Sequence, residues 1–126
     1  MIATINFNPN TDPKLLCTCG HAKCDQRSVK QEHLNRVQHV RTYLNHPLPV
    51  TSGGRCEYHP NEAHRTTPAD HQLRNGVDVG VNGSTRGNVV DAGIKAGCNA
   101  IGVAKTFVHL GYRPDLPAGH LTMWVY

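Results

Sequence analysis

Apolar residues recur at helical spacing in one long stretch of the first half of the chain. Four of them fall on the same face of a helix: Leu34, Val37, Val40 and Leu44. Ser28 followed three residues later by Gln31 has the form of a capping box, so we predict that the helix begins at Ser28. Asn45 and Pro47 end it. One long helix therefore precedes any sheet that the chain forms.

Strands are predicted by short runs rich in β-branched and aromatic residues. Four segments have this composition: 48–51, 76–81, 101–110 and 121–126. In 76–81 the valines face one side of the strand and Asp78 faces the other, because successive side chains alternate. Residues 56–70 show no period, and their prolines favour a surface loop.

A second helix is predicted from Ser84 or Thr85 to Gly97, where glycine suits the end of a helix. Its inward residues are expected to be Val89, Val90 and Ile94. The elements thus run helix, strand, loop, strand, helix, strand, strand, with no repeat and no linker. At 126 residues this order suits one domain, 1–126, with an α+β fold: a small, mostly antiparallel sheet with flanking helices.

The charge and aromatic content narrow the class of partner. Lys and Arg number 13 against 9 Asp and Glu, a formal net charge of +4, which favours an anionic partner such as nucleic acid, a wall surface or a membrane surface. Aromatic residues make up only 6%, which leaves few stacking platforms for bases, and no Cys/His finger spacing is present. Nucleic acid is therefore not expected as a partner.

Five cysteines stand in a chain that shows no secretory signal pattern and no apolar run of bilayer length. We therefore expect synthesis in a cytoplasm without a signal peptide, no stable membrane insertion, and reduced thiols. Cys17, Cys19 and Cys24 offer ligands for a second, structural metal, but their spacing is not the usual pair of Cys-x2-Cys knuckles. Reduced cysteines lining a turn are the alternative that we favour. Cys56 and Cys98 stand alone in the sequence, and Cys98 is predicted to be a small buried residue.

Three of the polar residues suit a metal site, although most of the nine histidines are expected on the surface. His71 ends a loop and Asp78 lies seven residues on, so a bend between loop and strand can bring the two side chains together. His109, from a later strand, can complete the site if the two strands are neighbours. Two imidazoles and one carboxylate suit a catalytic zinc ion, which keeps one position open. By spacing alone, a polar loop followed by a surface aspartate is the alternative.

Several motifs occur together in a defined order: Thr51-Ser-Gly-Gly-Arg55, His71-x6-Asp78, Phe107-Val-His109 and Trp124-Val-Tyr126. This set resembles the D-alanyl-D-alanine carboxypeptidase family of zinc peptidases, which shares its fold with the hedgehog signalling domain and includes small phage endolysins. The resemblance covers most of the chain, from about Cys17 to Tyr126. It implies the hedgehog/DD-peptidase fold, one Zn²⁺ ion, and hydrolysis of an amide bond in bacterial peptidoglycan.

The resemblance also implies roles for individual residues. His71, Asp78 and His109 would hold the zinc ion, and Arg55 would bind the substrate carboxylate or the oxyanion. Two positions that are often acidic in the family hold Thr106 and Gly111 here, so the general base is unassigned. The candidates for it elsewhere in the chain are Glu62, His64, Asp115 and His120.

The motifs fit enzymes that cut different bonds of the peptidoglycan peptide. An L-alanyl-D-glutamate endopeptidase, a D-alanyl endopeptidase and a D,D-carboxypeptidase all fit the motifs. We expect a monomer that reaches its peptidoglycan substrate in the periplasm after release by another protein. The alternatives are a non-enzymatic, zinc-stabilised binding module and a phage structural protein.

Overall fold

The computed structural model describes residues 2–126. After a 3-10 turn at Pro13–Leu15, it contains α1 (Gln31–Leu44), β1 (Val50–Ser52), β2 (Gly76–Gly80), α2 (Arg86–Lys95), β3 (Ala100–Val103), β4 (Phe107–Gly111) and β5 (Thr122–Val125). The predicted α+β class, with a small and mostly antiparallel sheet, is confirmed. None of the helices in residues 2–126 is long and apolar enough to cross a membrane.

The five strands form one sheet in the order β1-β2-β4-β3-β5. All neighbours are antiparallel except β3 and β5, which are parallel. β2 and β4 are therefore direct neighbours, and their register places Asp78 opposite His109. The three-residue site required that the strands of Asp78 and His109 be neighbours, and this pairing makes them so.

The start of α1 differs from the prediction. The helix begins at Gln31 with Lys30 as its N-cap, and no side chain caps it. The hydroxyl of Ser28 donates to the carbonyl of Val29, while the Gln31 amide pairs with the backbone N–H and C=O of Ala3. The predicted capping box is wrong because a contact with the N-terminal segment engages the Gln31 side chain. The end is as predicted: Asn45 adopts the left-handed conformation, with φ 56°.

Residues 101–110 form two strands rather than the single strand that was predicted. β3 and β4 make a hairpin, closed where the Ala104 amide donates to the Phe107 carbonyl at 3.0 Å. Its pairing sets Ile101 opposite Leu110, so that both bury their side chains on the same face. A single straight strand could not bring these apolar residues together. The hairpin also makes β4 an interior strand, and β4 carries His109.

The core lies between the helices and one face of the sheet. Its buried members include Leu34, Val37, Val40, Val77, Val79, Val89, Ile101, Val108 and Leu110. α2 contributes Val89, Ala92 and Gly93, whereas Ile94, predicted to point inward, is 42% exposed. α2 can lie close to the sheet because a Cβ at Gly93 would be only 2.6 Å from the Leu110 side chain. Close approach at Gly93 sets the rotation of α2 and leaves Ile94 on its outer flank.

The opposite face of the sheet is polar. Side chains alternate along strands, so β2 and β4 turn their valines and leucine to the core and Asp78 and His109 to this second face. Trp124 of the parallel edge strand β5 packs on this face over Gly102, where a Cβ would be 2.7 Å from the indole. The polar face therefore has a floor of charged groups with an aromatic wall beside it.

Candidate metal centre

Three buried side chains converge on the polar face of the sheet. Ligand atoms of His71, Asp78 and His109 all lie within 4.8 Å of one another. Asp78 Oδ1 is 2.9 Å from His109 Nδ1 and 3.3 Å from His71 Nε2. The two strands supply Asp78 and His109, and the loop before β2 supplies His71. The structure thus brings together all three residues that the sequence singled out.

The orientation of His71 is set by its backbone contact. Its Nδ1 lies 2.7 Å from the carbonyl oxygen of Gly53, which can only accept, so Nδ1 carries a proton. In the neutral ring, Nε2 then presents a lone pair to the Asp78 carboxylate oxygen. Two acceptors facing each other at 3.3 Å suit a cation that lies between them. The chemistry of this donor set fits a metal ion.

His109 lies between two carboxylates. Its Nδ1 faces Asp78, and its Nε2 is 2.8 Å from Asp70 Oδ2. Burial alone would lower the pKa of His109, but the hydrogen bonds to Asp70 and Asp78 outweigh it and raise the pKa. Burial would likewise raise the pKa of Asp78, yet its contacts with the His109 and His71 rings hold that pKa well below its usual range. A divalent cation can take the place of the proton on His109 Nδ1.

Asp70 is a functional candidate that sequence reasoning missed. Besides contacting His109, it accepts from Arg113 Nε at 2.9 Å and from Arg113 Nη2 at 3.3 Å. Burial would raise the pKa of Asp70, but the bonds from His109 and Arg113 prevail and lower it. Carboxylates that accept from the outer nitrogen of a histidine ligand are frequent in metal sites. The available signal was the acidic residue directly before His71 in the sequence.

Space for Asp70 is created by two glycines. A Cβ at Gly111 would be 2.7 Å from both Asp70 Oδ2 and His109 Nε2. A Cβ at Gly76 would be 2.9 Å from His109 Cε1 and 3.0 Å from Asp70 Cβ. The family often has an acidic residue at position 111, at the end of β4. In this chain that position is a glycine, and the carboxylate beside His109 belongs to Asp70, which comes from the loop before β2.

Arg55 reaches the same centre from the turn after β1. Its Nη2 donates to Asp78 Oδ2 at 3.3 Å, and its Nη1 donates to Glu62 Oε2 at 3.2 Å. Asp78 thereby turns its other oxygen, Oδ1, to the two histidines. Glu62 is buried, and its Oε1 has no hydrogen-bond partner among residues 2–126, although Arg65 Nε lies 3.3 Å away. The Arg55 guanidinium thus links the metal centre to a buried carboxylate.

A cavity of about 550 Å³ opens above these groups. Its lining includes Arg55, Glu62, His64, Arg65, Asp70, His71, Asp78, Phe107, His109, Arg113, Trp124 and Tyr126. Two of the four candidates for the general base, Glu62 and His64, line this cleft. Asp115 lies in the exposed turn after β4, and His120 lines a separate cavity near the end of α2.

The cysteines are also placed by the structure. Sulfur atoms of Cys17, Cys19 and Cys24 come together, and Cys56 joins them. Cys98 is buried in the core, as predicted, and burial raises the pKa of its thiol to about 12. All five cysteines are free thiols.

A family model described as Peptidase M15 matches residues 9–111. The matched region contains Arg55, His71, Asp78 and His109, and it ends at the close of β4. No curated protein and no solved structure matched the chain. Because the match covers well over half of its length, the chain belongs to the M15 family of zinc metallopeptidases.

Proposed function

We propose that this M15 peptidase is a zinc enzyme that hydrolyses an amide bond in a stem peptide or cross-link of bacterial peptidoglycan. The observation that carries the proposal is the convergence of His71 Nε2, Asp78 Oδ1 and His109 Nδ1 at the floor of a cleft. Two imidazoles and a carboxylate match the three-ligand sets of catalytic zinc sites. A zinc ion in that position would polarise the substrate carbonyl and lower the pKa of a water molecule to about 7.

The chain itself prepares the two histidines for this task. The Gly53 carbonyl holds the proton of His71 on Nδ1, and Asp70 holds the proton of His109 on Nε2. Each ring therefore presents its other nitrogen to the common centre. Such outer contacts fix the tautomer and raise the basicity of a histidine ligand.

Substrate binding is assigned to the cationic side of the cleft. Arg55, Arg65 and Arg113 line it, and the Arg113 guanidinium lies 5.1 Å from the Trp124 ring centroid. Wall peptides carry free carboxylates, which the planar guanidinium group binds through two parallel hydrogen bonds. We assign to Arg55 the substrate carboxylate or the oxyanion that develops during attack. A cleft of about 550 Å³ has the size of sites that hold small ligands, so it suits a short peptide segment.

We propose Glu62 as the group that accepts the proton from the attacking water. It is the carboxylate among the four candidates that lines the cleft, and its Oε1 has no hydrogen-bond partner in the part of the chain that the structure describes. Replacement of Glu62 by Gln should lower kcat roughly 10²- to 10⁴-fold, as loss of a general base does. Zinc content should be unchanged, because Glu62 contributes no atom to the three-ligand cluster. Full activity of E62Q would contradict this role.

The biological setting proposed is that of a short, endolysin-like member of the family. The chain would act as a monomer on the wall, in the periplasm, after release from the host cytoplasm. Its formal charge of +4 would help it stay on an anionic wall.

The test is digestion of purified Gram-negative peptidoglycan followed by mass analysis of the released fragments. We expect new peptide termini, loss of this activity with a chelator, and recovery on addition of zinc. The masses of the fragments distinguish the two endopeptidase specificities from D,D-carboxypeptidase activity. Turbidity loss of permeabilised Gram-negative cells gives a second measurement.

His109→Ala should abolish hydrolysis and remove the zinc ion of the cleft, while leaving the fold intact by circular dichroism. His120→Ala is the matched control, since His120 is exposed and lines another cavity. If the folded, zinc-loaded protein released no new termini, the binding module or the phage structural protein would become the better assignment.

A further inference from the structure

Four sulfur atoms meet at a second place, away from the cleft. Cys17, Cys19 and Cys24 come from the segment before α1, and Cys56 comes from the turn after β1. Their Sγ atoms all lie within 4.8 Å of one another, and those of Cys19 and Cys56 are 3.6 Å apart. The fourth sulfur is 37 residues from Cys19 in sequence. The sequence grouped three cysteines, and folding brings Cys56 to them as a fourth.

We propose that these four cysteines bind a structural zinc ion, which is distinct from the ion of the cleft. With Zn–S bonds of about 2.3 Å, the sulfurs of a tetrahedral site lie roughly 3.8 Å apart, which agrees with the distances here. A disulfide needs its sulfurs about 2.05 Å apart, so these distances do not describe disulfides. A Cys₄ set leaves no position open for water or substrate, as in structural zinc sites.

The local backbone is arranged for thiolates. The Gln26 amide donates to Cys24 Sγ at 3.4 Å, a contact that stabilises negative charge on sulfur. The Cys17 amide donates to the Arg27 carbonyl at 3.0 Å, which closes the loop that bears three of the cysteines. Three sulfurs are thus held on one closed loop, and it faces the turn that carries the fourth.

Packing of reduced cysteines explains this arrangement less well. Cys98 is a cysteine that serves only as a packing residue, since it lies inside the hydrophobic core. Cys19 and Cys24 are instead partly exposed, so burial does not account for their convergence. The ring of His21, inside the cysteine segment, has other partners. It stacks on Tyr58 with ring centroids 4.4 Å apart, and its Nδ1 accepts a hydrogen bond from the backbone amide of Lys23.

A zinc ion here would also hold the turn that carries Arg55. Cys56 follows Arg55 directly, and the Gly54 amide donates to the Leu15 carbonyl at 3.0 Å. The two segments touch so closely that a Cβ at Gly54 would be 2.2 Å from the Arg27 carbonyl oxygen. The four-cysteine site is therefore a positioning device for the backbone of residues 53–56, independent of what the cleft hydrolyses.

The zinc content of the full chain tests the proposal. We expect two zinc ions per wild-type chain by elemental analysis and one in Cys19→Ser. Cys98→Ser, the matched control, should retain two. His109→Ala should lose the other ion, so failure of either site is seen separately. Equal zinc content in wild type and Cys19→Ser would overturn the four-cysteine site, and so would iron in place of zinc at these thiols.

A measurement on the wild-type protein avoids the risk that a cysteine variant does not fold. Titration with a mercurial reagent should release one zinc ion as four thiols react, followed with a metal-sensitive dye. Amide exchange at Gly54 and Arg55 should then become faster, while exchange in β3 and β4 stays slow. Reaction of the thiols without zinc release, or with unchanged exchange at these two amides, would contradict the proposal.

Discussion

Asp70 lies in the space that opens where residue 111 has no side chain. From there it accepts from the outer nitrogen of His109 and from the guanidinium of Arg113. Its negative charge favours a proton on His109 Nε2 and hence a lone pair on Nδ1, which is the nitrogen that faces Asp78. A loop residue thus favours one tautomer of a histidine on a strand.

Replacement of Asp70 by Asn keeps the shape of this contact and removes its charge. We expect zinc affinity of the cleft to fall roughly 10- to 100-fold, the usual cost of losing such a partner. Competition with a chelating dye measures the affinity. Asp115→Asn, which changes an exposed aspartate in the turn after β4, is the control with the same change of charge. An unaltered affinity in D70N would show that Asp70 has no such influence.

Gly111→Ala tests the same contact from the other side. The added methyl group would lie 2.7 Å from Asp70 Oδ2 and 3.0 Å from the Ala100 carbonyl, so Asp70 must move away from His109. Zinc affinity should drop as in D70N, and stability should fall by about 1–3 kcal/mol, as overpacking does. Denaturant unfolding measures the second effect. Gly83→Ala is the control, since no atom of residues 2–126 lies within 4 Å of a Cβ there. Similar losses of zinc affinity and stability in both variants would count against the proposed contact.

Residues of the site differ in how far the sequence can reveal them. His71, Asp78 and His109 are metal-ligating types at spacings that a loop and two strands can bring together. Asp70 and Glu62 belong to a loop whose path depends on contacts such as the pairing of Arg55 with Glu62. Cys56 is separated from Cys19 by a helix and a strand. Only the folded chain shows that it is a neighbour.

At the scale of elements, one buried histidine joins α1 to the strand that carries His109. His33 Nε2 donates to the Leu110 carbonyl at 2.9 Å, and its Nδ1 faces Arg36. Burial lowers the pKa of His33 to about 4. The imidazole is therefore neutral in the folded protein, and it supplies a hydrogen bond between helix and sheet inside the core.

This pKa predicts how stability changes with pH. An unfolded chain takes up a proton on His33 near pH 6.5, whereas the folded chain does so only near pH 4. The stabilisation is therefore complete above pH 6.5, is lost as pH falls toward 4, and amounts to at most about 3 kcal/mol.

His33→Gln keeps a donor for Leu110 and cannot titrate, so its unfolding free energy should decline less between pH 7 and pH 4.5. Urea unfolding at both pH values gives this decline for H33Q and for wild type. The other titrating groups contribute equally to both proteins, so the difference between the two declines is due to His33. His39→Gln, an exposed position on the same helix, should behave as wild type. An equal decline in H33Q and wild type would refute the assignment.

Elements were predictable where local patterns and tertiary contacts agree. The spacing of the apolar residues placed α1, and alternation placed β2 with Asp78 on its polar face. The capping box failed because Gln31 pairs with Ala3, which lies 28 residues away in sequence. The hairpin of β3 and β4 was missed because its turn, 104–106, lacks the glycine or asparagine that usually marks a tight turn.

At the scale of the molecule, one short segment, residues 53–56, touches both clusters of metal-ligating residue types. Residues 53–56 contact His71 through the Gly53 carbonyl and reach the sulfur cluster through Cys56. A chain of 126 residues builds a small core, so its loops would gain order from metal ions bound at these two clusters. The loops, rather than the sheet, are the parts whose order we expect to depend on metal.

The net charge of the whole chain leads to a prediction about wall binding. Retention on peptidoglycan should weaken as salt rises from about 0.1 M to about 1 M, because the Debye length shrinks from about 10 Å to about 3 Å. Sedimentation of the inactive His109→Ala protein with insoluble walls measures this without hydrolysis. Chitin, an uncharged polysaccharide, serves as the control surface. Retention that ignores salt would argue against an electrostatic contribution.

Trp124 is the only tryptophan of the chain, and its indole ring lies 5.4 Å from the imidazole of His109. Ultraviolet emission excited in the indole band therefore arises at the rim of the cleft and nowhere else. A paramagnetic ion seated beside His109 would lie close to the indole ring and quench that light. The protein thus carries its own optical probe, able to report when an added ion enters the cleft.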